Sequence, residues 1–485
     1  MSFRSRALIA ALFMGLVAAP APAQPVTDSA AATIEADLQR YFGKTPGVVQ
    51  VNPEGKAYAV TLDPTPLLPP DLRAKVELTP LRLSVTAKGE GLWAVKQDQP
   101  LSLRYTDAPR HSLTLTVDRV LASGIYDAKL GLFREAQVAI RKVANDETRS
   151  DAATGEVMRH VSAIQDIAWR AQAIAGSTGA DVTDRTEMIG VSNSLSIAPV
   201  GAPPFTLDLR LDRIQTERSL TGLRTEALHD LVRFMVANVT PATLPAQQEG
   251  LRQRLLALVP GVERISHKAI HSKVSIQSGG LTLALDRATL TMEAEGLSET
   301  ANARQSWLIE GIKPEAPLLI PAWAGPLLPD RLRLDIQLGG FHPAAPLRLI
   351  IGAFDAGAVP RLPADLRQRL WPLLAPEGLD LTVQALELRA PAYLAQGSGA
   401  MHFTDGATPP TGRGAITVEG WDRIAKALEA LPEADRPKAN AALALIGGLG
   451  RAAPDGRGLV WDIDAETRPG TVLVNGLDLS RRAPK

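Results

Sequence analysis

The 485-residue sequence contains no cysteine and few aromatic residues. The absence of cysteine excludes disulfide bonds, thiolate metal ligands and cysteine nucleophiles. Aromatic residues make up 4% of the chain although 45% of it is hydrophobic, so Leu, Ala, Val and Ile supply most of the apolar surface. Aliphatic side chains of this kind suit alkyl chains, whereas single-stranded nucleic acids stack on aromatic platforms.

The chain also lacks an excess of charge and the common catalytic motifs. Its 52 basic and 52 acidic residues are interspersed, without a basic run that could neutralise phosphates, so nucleic acid is not predicted as a partner. No HExxH, GxSxG or Walker motif occurs, and no GxGxxG opens a helix after a strand. The sequence therefore predicts a protein that is not an enzyme, with no cofactor and no catalytic residues.

The first residues, MSFRSRALIAALFMGLVAAPAPAQ, have the three parts of a secretory signal. Arg4 and Arg6 supply positive charge, residues 7–19 are apolar, and Ala21-Pro22-Ala23 is a small-x-small cleavage site. The apolar run is shorter than the about 20 residues needed to span a bilayer. We therefore predict a signal peptide over 1–23, cleaved near Ala23, and a periplasmic protein.

Period-two alternation of apolar and polar residues runs through the rest of the chain. In RLRLDIQLGGF (331–341), Leu332, Leu334, Ile336 and Leu338 point one way and the polar residues point the other. Further alternating segments occur at 81–85, 112–118, 205–212, 273–277, 281–286, 379–383, 415–418, 459–465 and 471–474. The pattern predicts roughly 15 to 20 strands, more than an open sheet usually holds without curling or splitting.

Short glycine-containing turns separate several of these segments, at 88–91, 278–280 and 468–470. Strands joined by tight turns are antiparallel, since parallel neighbours need long crossovers. The alternation changes phase at Ala385-Leu386, which predicts a bulge there.

Helical periodicity is less common. Apolar residues recur at three- and four-residue spacing over 225–238, and 421–431 and 434–449 form a helical pair broken at Pro432. The segment 157–175 fits both a helix and a strand, and a following turn at 177–181 favours strands. The pentapeptide LRQRL occurs at 251–255 and 366–370, and leucine-proline openings precede predicted strands at 67–72, 327–332 and 361–366. These recurrences predict a helix-plus-strands unit that is used more than once.

Together these signals predict an α+β, β-dominated fold. We expect a long curved antiparallel meander sheet, half-barrel or trough-like, with a few amphipathic helices and an aliphatic concave face. The proline-rich, polar stretch around 240–250 predicts a boundary between an N-terminal β-rich region (24–243) and a C-terminal β-rich region with helices (244–485). The second region is a candidate internal repeat of the first.

The leucine-proline strand opening LLPDRLRLDIQLGGF (327–341) and the C-terminal GLVWDIDAETRPGTVLVNGLDL (458–479) resemble an uncharacterised family of exported proteobacterial proteins, with AsmA-like texture. The resemblance spans most of the predicted mature chain and rests on the general pattern of the sequence, without a diagnostic motif. It implies an elongated β structure with an apolar groove and a link to lipid traffic in the envelope. The chain differs from AsmA-like proteins in lacking their N-terminal membrane anchor, and no functional residue is carried over.

The candidate ligand residues are aliphatic positions on the alternating strands. They are Leu207, Leu209, Leu283, Leu332, Leu334, Ile336, Leu338 and Leu381. His267 and His271 are the nearest approach to a metal pair, but on a strand they would lie about 13 Å apart, so no metal site is predicted. Two pairs of acids also occur on predicted strands, Asp208 with Asp212 and Asp462 with Asp464. We interpret both pairs as residues on solvent-exposed faces of their strands.

Three functions remain open from the sequence. The first is a periplasmic envelope protein that binds or carries a lipid or another apolar ligand in an aliphatic groove. The second is a structural or protein-interaction module of the envelope that has a protein partner and no small ligand. The third is an enzyme, for example a hydrolase, built from scattered Asp, Glu and His residues.

Overall fold

The computed structural model describes residues 26–478, except 241, 317–319, 355–364, 406–407 and 468–469. The predicted signal peptide and part of the predicted turn at 468–470 lie outside the described residues. Strands account for 53% and helices for 22% of the structure, which confirms the β-dominated α+β class. Among the described residues, no helix combines the length and the apolar character needed to cross a membrane.

The chain forms two compact units. The first contains the described residues up to 265 together with those of 348–363, and the second contains 266–347 and the described residues from 364 onwards. This division differs from the predicted boundary between 243 and 244, because the helix after the proline-rich stretch belongs to the first unit.

The first unit contains most of the long strands. Its helices are α1 (Asp28–Phe42), α2 (Pro70–Arg73), α3 (Thr225–Asn238) and α4 (Leu244–Leu258), with a 3-10 turn at Thr65–Leu67. Its strands are β1 (Val49–Glu54), β2 (Ala57–Leu62), β3 (Val76–Leu78), β4 (Leu81–Gly89), β5 (Leu92–Asp107), β6 (His111–Asp127), β7 (Leu132–Ser150), β8 (Val157–Ala175), β9 (Ala180–Ala198) and β10 (Phe205–Leu223).

These strands form an antiparallel meander, as predicted. Pairing runs from β1 through β2 and β4 to β5, and then continues in chain order to β10, while β3 pairs with β5. Strands β7 to β10 each have 19 residues and are therefore about 60 Å long at ~3.3 Å per residue. The segment 157–175 is strand β8, which confirms the preference for a strand.

One closed hydrophobic core lies where α1 packs against the first strands of this unit. Thr27 caps the helix, since its Oγ1 accepts a hydrogen bond from the Ala30 amide at 3.2 Å. The helix then places Ile34 against Val60 and Val85, whose side chains are at most 4% exposed. These residues have the burial expected of a packed core.

The second unit contains the shorter strands. They are β11 (Arg264–Ser278), β12 (Leu281–Glu295), β13 (Ala301–Glu310), β14 (Lys313–Glu315), β15 (Arg331–Phe341), β16 (Leu379–Arg389), β17 (Leu394–Phe403), β18 (Thr411–Glu419), β19 (Arg451–Ala452), β20 (Gly458–Asp464), β21 (Leu473–Val474) and β22 (Leu477–Asp478). Its helices are α6 (Leu366–Leu374), α7 (Trp421–Leu428) and α8 (Arg436–Leu449), with a 3-10 turn at Ala322–Leu327, and it also contains the first four residues of helix α5 (Ala344–Ala353). The boundaries between the units fall within β11 and α5.

The second unit also forms an antiparallel meander. Its pairing runs β12, β13, β15, β16, β17, β18 and β20. Gln384 has no opposite residue between the pairs Asp335–Ala385 and Ile336–Val383, which confirms the bulge predicted from the phase change beside it.

The helical predictions are confirmed at 225–238, which is α3, and for the pair α7 and α8. The two LRQRL copies lie inside α4 and α6, while the internal repeat as a whole stays a prediction.

The leucine-proline opening at 327–332 leads into β15 as expected. The opening at 67–72 runs into the short helix α2, in which Pro70 occupies the first turn, where proline is favourable, and strand β3 begins after it at Val76. Most of the opening at 361–366 lies outside the described residues.

Candidate functional site

The long strands of the first unit carry continuous rows of aliphatic residues on one face. Residues directly opposite each other in antiparallel strands share a face, so the pairing defines these rows. One row contains Leu101, Val117, Val143, Ile164, Val191 and Leu211. The next contains Val120, Ile140, Ile167, Met188 and Ile214. We call these two rows, with the residues paired beside them, the first aliphatic face.

Most of the first aliphatic face is only partly buried. Val143, Ile164 and Val191 all keep part of their surface in solvent. By contrast, Val60 and Val85 in the closed core of the same unit are 1% and 0% exposed. The same side-chain type is therefore covered in one part of the unit and accessible in another.

A row of inserted residues crosses the same strands between the two aliphatic rows. In β7, Ile140 and Val143 share the aliphatic face although two consecutive exposed residues, Arg141 and Lys142, separate them. The corresponding pairing interruptions fall at Asp118, Lys142, Gln165, Gly190 and Asp212, which lie opposite one another in β6 to β10. Because these residues are aligned, the register between the strands is the same on both sides of the row.

Two of these inserted residues have left-handed backbones. Lys142 has φ 47° and Gly190 has φ 63°. Lys142 Nζ lies 3.2 Å from an Asp118 carboxylate oxygen, and the Gln165 side chain lies directly over Gly190. Both contacts therefore lie on the exposed side of the sheet, at the row of inserted residues.

The second unit has a comparable surface, which we call the second aliphatic face. One of its rows contains Leu290, Trp307, Leu334, Leu386, Gly397, Ile416 and Trp461. Trp461 is buried at one end of this row, where its ring contacts Trp421 and its Nε1 donates to the Ile446 carbonyl at 3.0 Å. Leu386, in contrast, is 38% exposed.

The structure distributes the eight predicted ligand residues between the two units. Five of them lie together on β15 and β16, where Leu338 pairs with Leu381: Leu332, Leu334, Ile336, Leu338 and Leu381. Leu283 pairs with Pro314 of β14, away from that group of pairs. Leu207 and Leu209 lie on β10 in the first unit, paired with Leu195 and Asn193. All eight remain at least partly exposed.

A group of polar side chains, not predicted from the sequence, interrupts the first aliphatic face next to Leu207 and Leu209. We call it the polar cluster, and it consists of His111, Glu147, Arg149, His160 and Asn193. Glu147 Oε1 accepts hydrogen bonds from Arg149 Nε at 2.6 Å and from His111 Nε2 at 3.0 Å. His160 Nε2 lies 3.0 Å from Asn193 Oδ1, and its Nδ1 lies 3.9 Å from Glu147 Oε2.

Glu147 is the anionic centre of the polar cluster. Burial alone would raise its pKa, but the hydrogen bonds from Arg149 and His111 outweigh that effect and lower the pKa below its ordinary value. The Glu147 side chain is 16% exposed, whereas the Arg149 side chain is 56% exposed. The cluster therefore holds its carboxylate inside and presents its guanidinium to solvent.

The other candidates from the sequence do not converge on a site. His267 and His271 lie along strand β11, and the described residues contain no group of three or more His, Asp or Glu that could hold a metal ion. Asp462 pairs with Arg451 at 2.6 Å. Hydrogen bonds from the Thr467 hydroxyl and the Thr467 and Glu466 amides lower the pKa of Asp464 to about 2. Both acids thus stabilise local structure.

A polar cavity of about 580 Å³ lies on the second unit. Among its lining residues are Asp380, His402, Arg413 and Glu466, and His402 Nδ1 lies 2.8 Å from Asp380 Oδ1. The side chains of Asp380 and Glu466 are 67% and 57% exposed, so water screens their charges.

Comparison with known proteins found no matching family model, no matching curated protein and no matching solved structure. The resemblance to exported AsmA-like proteins therefore stays a prediction.

Proposed function

We propose that the protein binds the alkyl chains of a lipid, or of another apolar ligand, on its aliphatic faces and carries it in the cell envelope without catalysing a reaction. The proposal is supported by the difference in solvent exposure between Val60, which is buried in the closed core, and Val143, which is partly exposed on the first aliphatic face. A packed interior would cover both side chains to the same extent. The partly exposed rows instead leave apolar surface available to a ligand.

The chemistry of these rows favours alkyl chains over aromatic or polar ligands. The row through Val143 consists only of Leu, Val and Ile. Each methylene that moves from water onto such a surface contributes about 0.8 kcal/mol before the cost of ordering the ligand. Aliphatic surfaces make few directional contacts, so we expect loose selection for chain length.

The location in the periplasm is part of the same proposal. It is supported by the charged, apolar and small-residue segments of the predicted signal peptide. A carrier of alkyl chains would have its ligands close at hand in a compartment bounded by membranes.

A structural or protein-interaction module of the envelope is the second candidate. It is favoured by helix α8, on which Leu445 and Ile446 are 63% and 49% exposed. Exposed apolar residues on a helix are suited to contact with another protein.

Native mass spectrometry of the purified full chain, followed by organic extraction, tests the proposal. We expect extractable lipid, or uptake of added dodecanoate, in the wild-type protein. Val143→Asp should reduce uptake, because it places a charge on the first aliphatic face. Ala144→Asp is the matched control, since Ala144 is the next residue of β7 and is exposed on the opposite side. A ligand-free mass with no dodecanoate uptake would contradict the proposal, and a single stoichiometric protein partner would favour the second candidate.

A further inference from the structure

We propose that the polar cluster binds the oxyanion head of an alkyl ligand whose chain lies on the adjacent aliphatic rows. This inference rests on the proposed function and deepens it by assigning the ligand a polar end and a position. The head would be a carboxylate, as in a fatty acid, or a phosphate, as in a phospholipid.

The position of the cluster supports the assignment. Glu147 follows Val143 on the same face of β7, about 13 Å further along the strand at ~3.3 Å per residue. Asn193 is similarly placed on β9, following Val191 of the aliphatic row. A linear ligand lying along the strands would therefore meet the aliphatic rows and the polar cluster in succession.

The chemistry of the cluster favours an anionic head. Glu147, its only acid, is its least exposed charged group and already accepts hydrogen bonds from Arg149 and His111. The Arg149 guanidinium uses its Nε and Nη2 groups on Glu147, and its remaining N–H donors belong to a side chain that is 56% exposed. A planar guanidinium matches the oxygens of carboxylates and phosphates.

The two histidines are held in position for the same ligand. Glu147 contacts His111, and Asn193 contacts His160 at 3.0 Å. The imidazoles are 28% and 23% exposed, so both keep accessible surface on this face. A few fixed polar groups within an apolar surface are the usual arrangement by which a site selects one end of a ligand.

The apolar residues around the cluster would cover the start of the chain. Tyr105 contacts His111 edge to face with ring centroids 4.9 Å apart, and Leu195 lies opposite both His160 and Leu207. Leu209 lies opposite Asn193. Thus two of the residues predicted as groove leucines flank the proposed head site.

The test compares the affinities of dodecanoate, dodecyl phosphate and 1-dodecanol for the full chain, below the concentrations at which these probes form micelles. The three probes share one alkyl chain and differ in the head. We expect the wild-type protein to bind at least one anion about tenfold more tightly than dodecanol, since hydrogen bonds between two charged groups are stronger than those that a neutral hydroxyl makes. The preferred anion distinguishes a carboxylate source from a phosphate source.

Two variants locate the effect. Arg149→Gln should bring the affinity for the preferred anion down to that of dodecanol. Arg159→Gln is the matched control and should keep the preference, because Arg159 is an exposed residue of the opposite face that pairs with Asp146 at 2.7 Å. Circular dichroism of both variants checks that they fold.

The other possible results contradict either the head site alone or the proposed function as a whole. Equal affinity of the wild-type protein for the anions and dodecanol would overturn the head site and leave the aliphatic binding surface standing. A wild-type preference that survives in Arg149→Gln would also overturn the head site. Failure of all three probes to bind would overturn the proposed function together with this inference.

Discussion

Arg304 donates two hydrogen bonds to Asp335, from Nε at 2.9 Å and from Nη2 at 2.6 Å, and Asp335 is the most deeply buried residue of β15. Asp335 is 2% exposed, whereas Leu334 and Ile336, its neighbours on the other face, remain partly exposed. In this strand the charged side chain is covered and the aliphatic side chains are accessible. This arrangement is the reverse of the usual one, in which charged side chains lie in solvent and aliphatic side chains are buried.

We expect Arg304→Ala to destabilise the protein by about 1–3 kcal/mol. The substitution leaves the Asp335 carboxylate buried, with Arg333 as a weaker partner at 3.9 Å. The value lies below that of a fully buried pair because the Arg304 side chain is itself 53% exposed. Urea denaturation of the two proteins measures the difference.

Arg119→Ala is the control for that measurement. Arg119 makes a similar two-bond contact with Asp98, but both side chains are 54% exposed. Water can replace the lost contact there, so the loss of stability should be clearly smaller. Equal losses in the two variants would show that the burial of Asp335 has no energetic consequence.

The ion pair also predicts a pH dependence. The hydrogen bonds from Arg304 lower the pKa of Asp335 below its ordinary value of 3.8. A carboxyl whose pKa is lower in the folded state stabilises the protein above the unfolded pKa, and this contribution is lost as the pH falls through the folded pKa. The stability difference between wild type and Asp335→Asn should therefore shrink between about pH 5 and about pH 2. A difference that stays constant over this range would contradict the assignment.

Truncation of valine should affect the core and the first aliphatic face differently. Val60→Ala should cost about 2 kcal/mol or more, because it removes two buried carbon atoms and leaves a cavity. Val143→Ala should cost under about 1 kcal/mol, since its side chain is already partly in water. Urea denaturation compares the two variants, and equal losses would mean that Val143 belongs to a packed core.

The row of inserted residues predicts a particular sensitivity at Gly190. Its φ is 63°, and an added Cβ would lie 2.7 Å from Gln165 Oε1. Gly190→Ala should therefore combine backbone strain of about 1–2 kcal/mol with a collision. Gly201→Ala has a similar φ of 77° but meets no atom within 4 Å, so it should cost less. Thermal unfolding of the two variants tests the difference, and an equal loss would show that Gln165 yields freely.

The alternation predicted most of the strands because hydrophobic spacing directly reports which residues share a face. It was ambiguous at 157–175 for a physical reason. Ile164 and Ile167 lie on the same face although the inserted Gln165 and the paired Asp166 separate them, so their spacing resembles that of a helix. The same apolar-x-x-apolar signal recurs in the neighbouring strands, for example at Val117 and Val120. This recurrence could have predicted the row of insertions.

The polar cluster could not be predicted in the same way. His111 and Glu147 are 36 positions apart in the sequence, and His160 and Asn193 are 33 positions apart. Their contacts depend on the register of three strand pairs, which a local pattern does not determine. The burial of Asp335 was missed for a related reason, since alternation separates two faces without showing which one is covered.

Photo-crosslinking of the full chain with a fatty acid that carries a diazirine in its alkyl chain, followed by peptide mapping, shows directly whether alkyl chains bind on the aliphatic faces. We expect labels on residues of the aliphatic faces, such as Val143, Ile164 and Leu334, and we expect excess dodecanoate to remove them. Labels confined to exposed positions such as Leu445 and Ile446 of α8, or labels that dodecanoate does not displace, would contradict the proposed function.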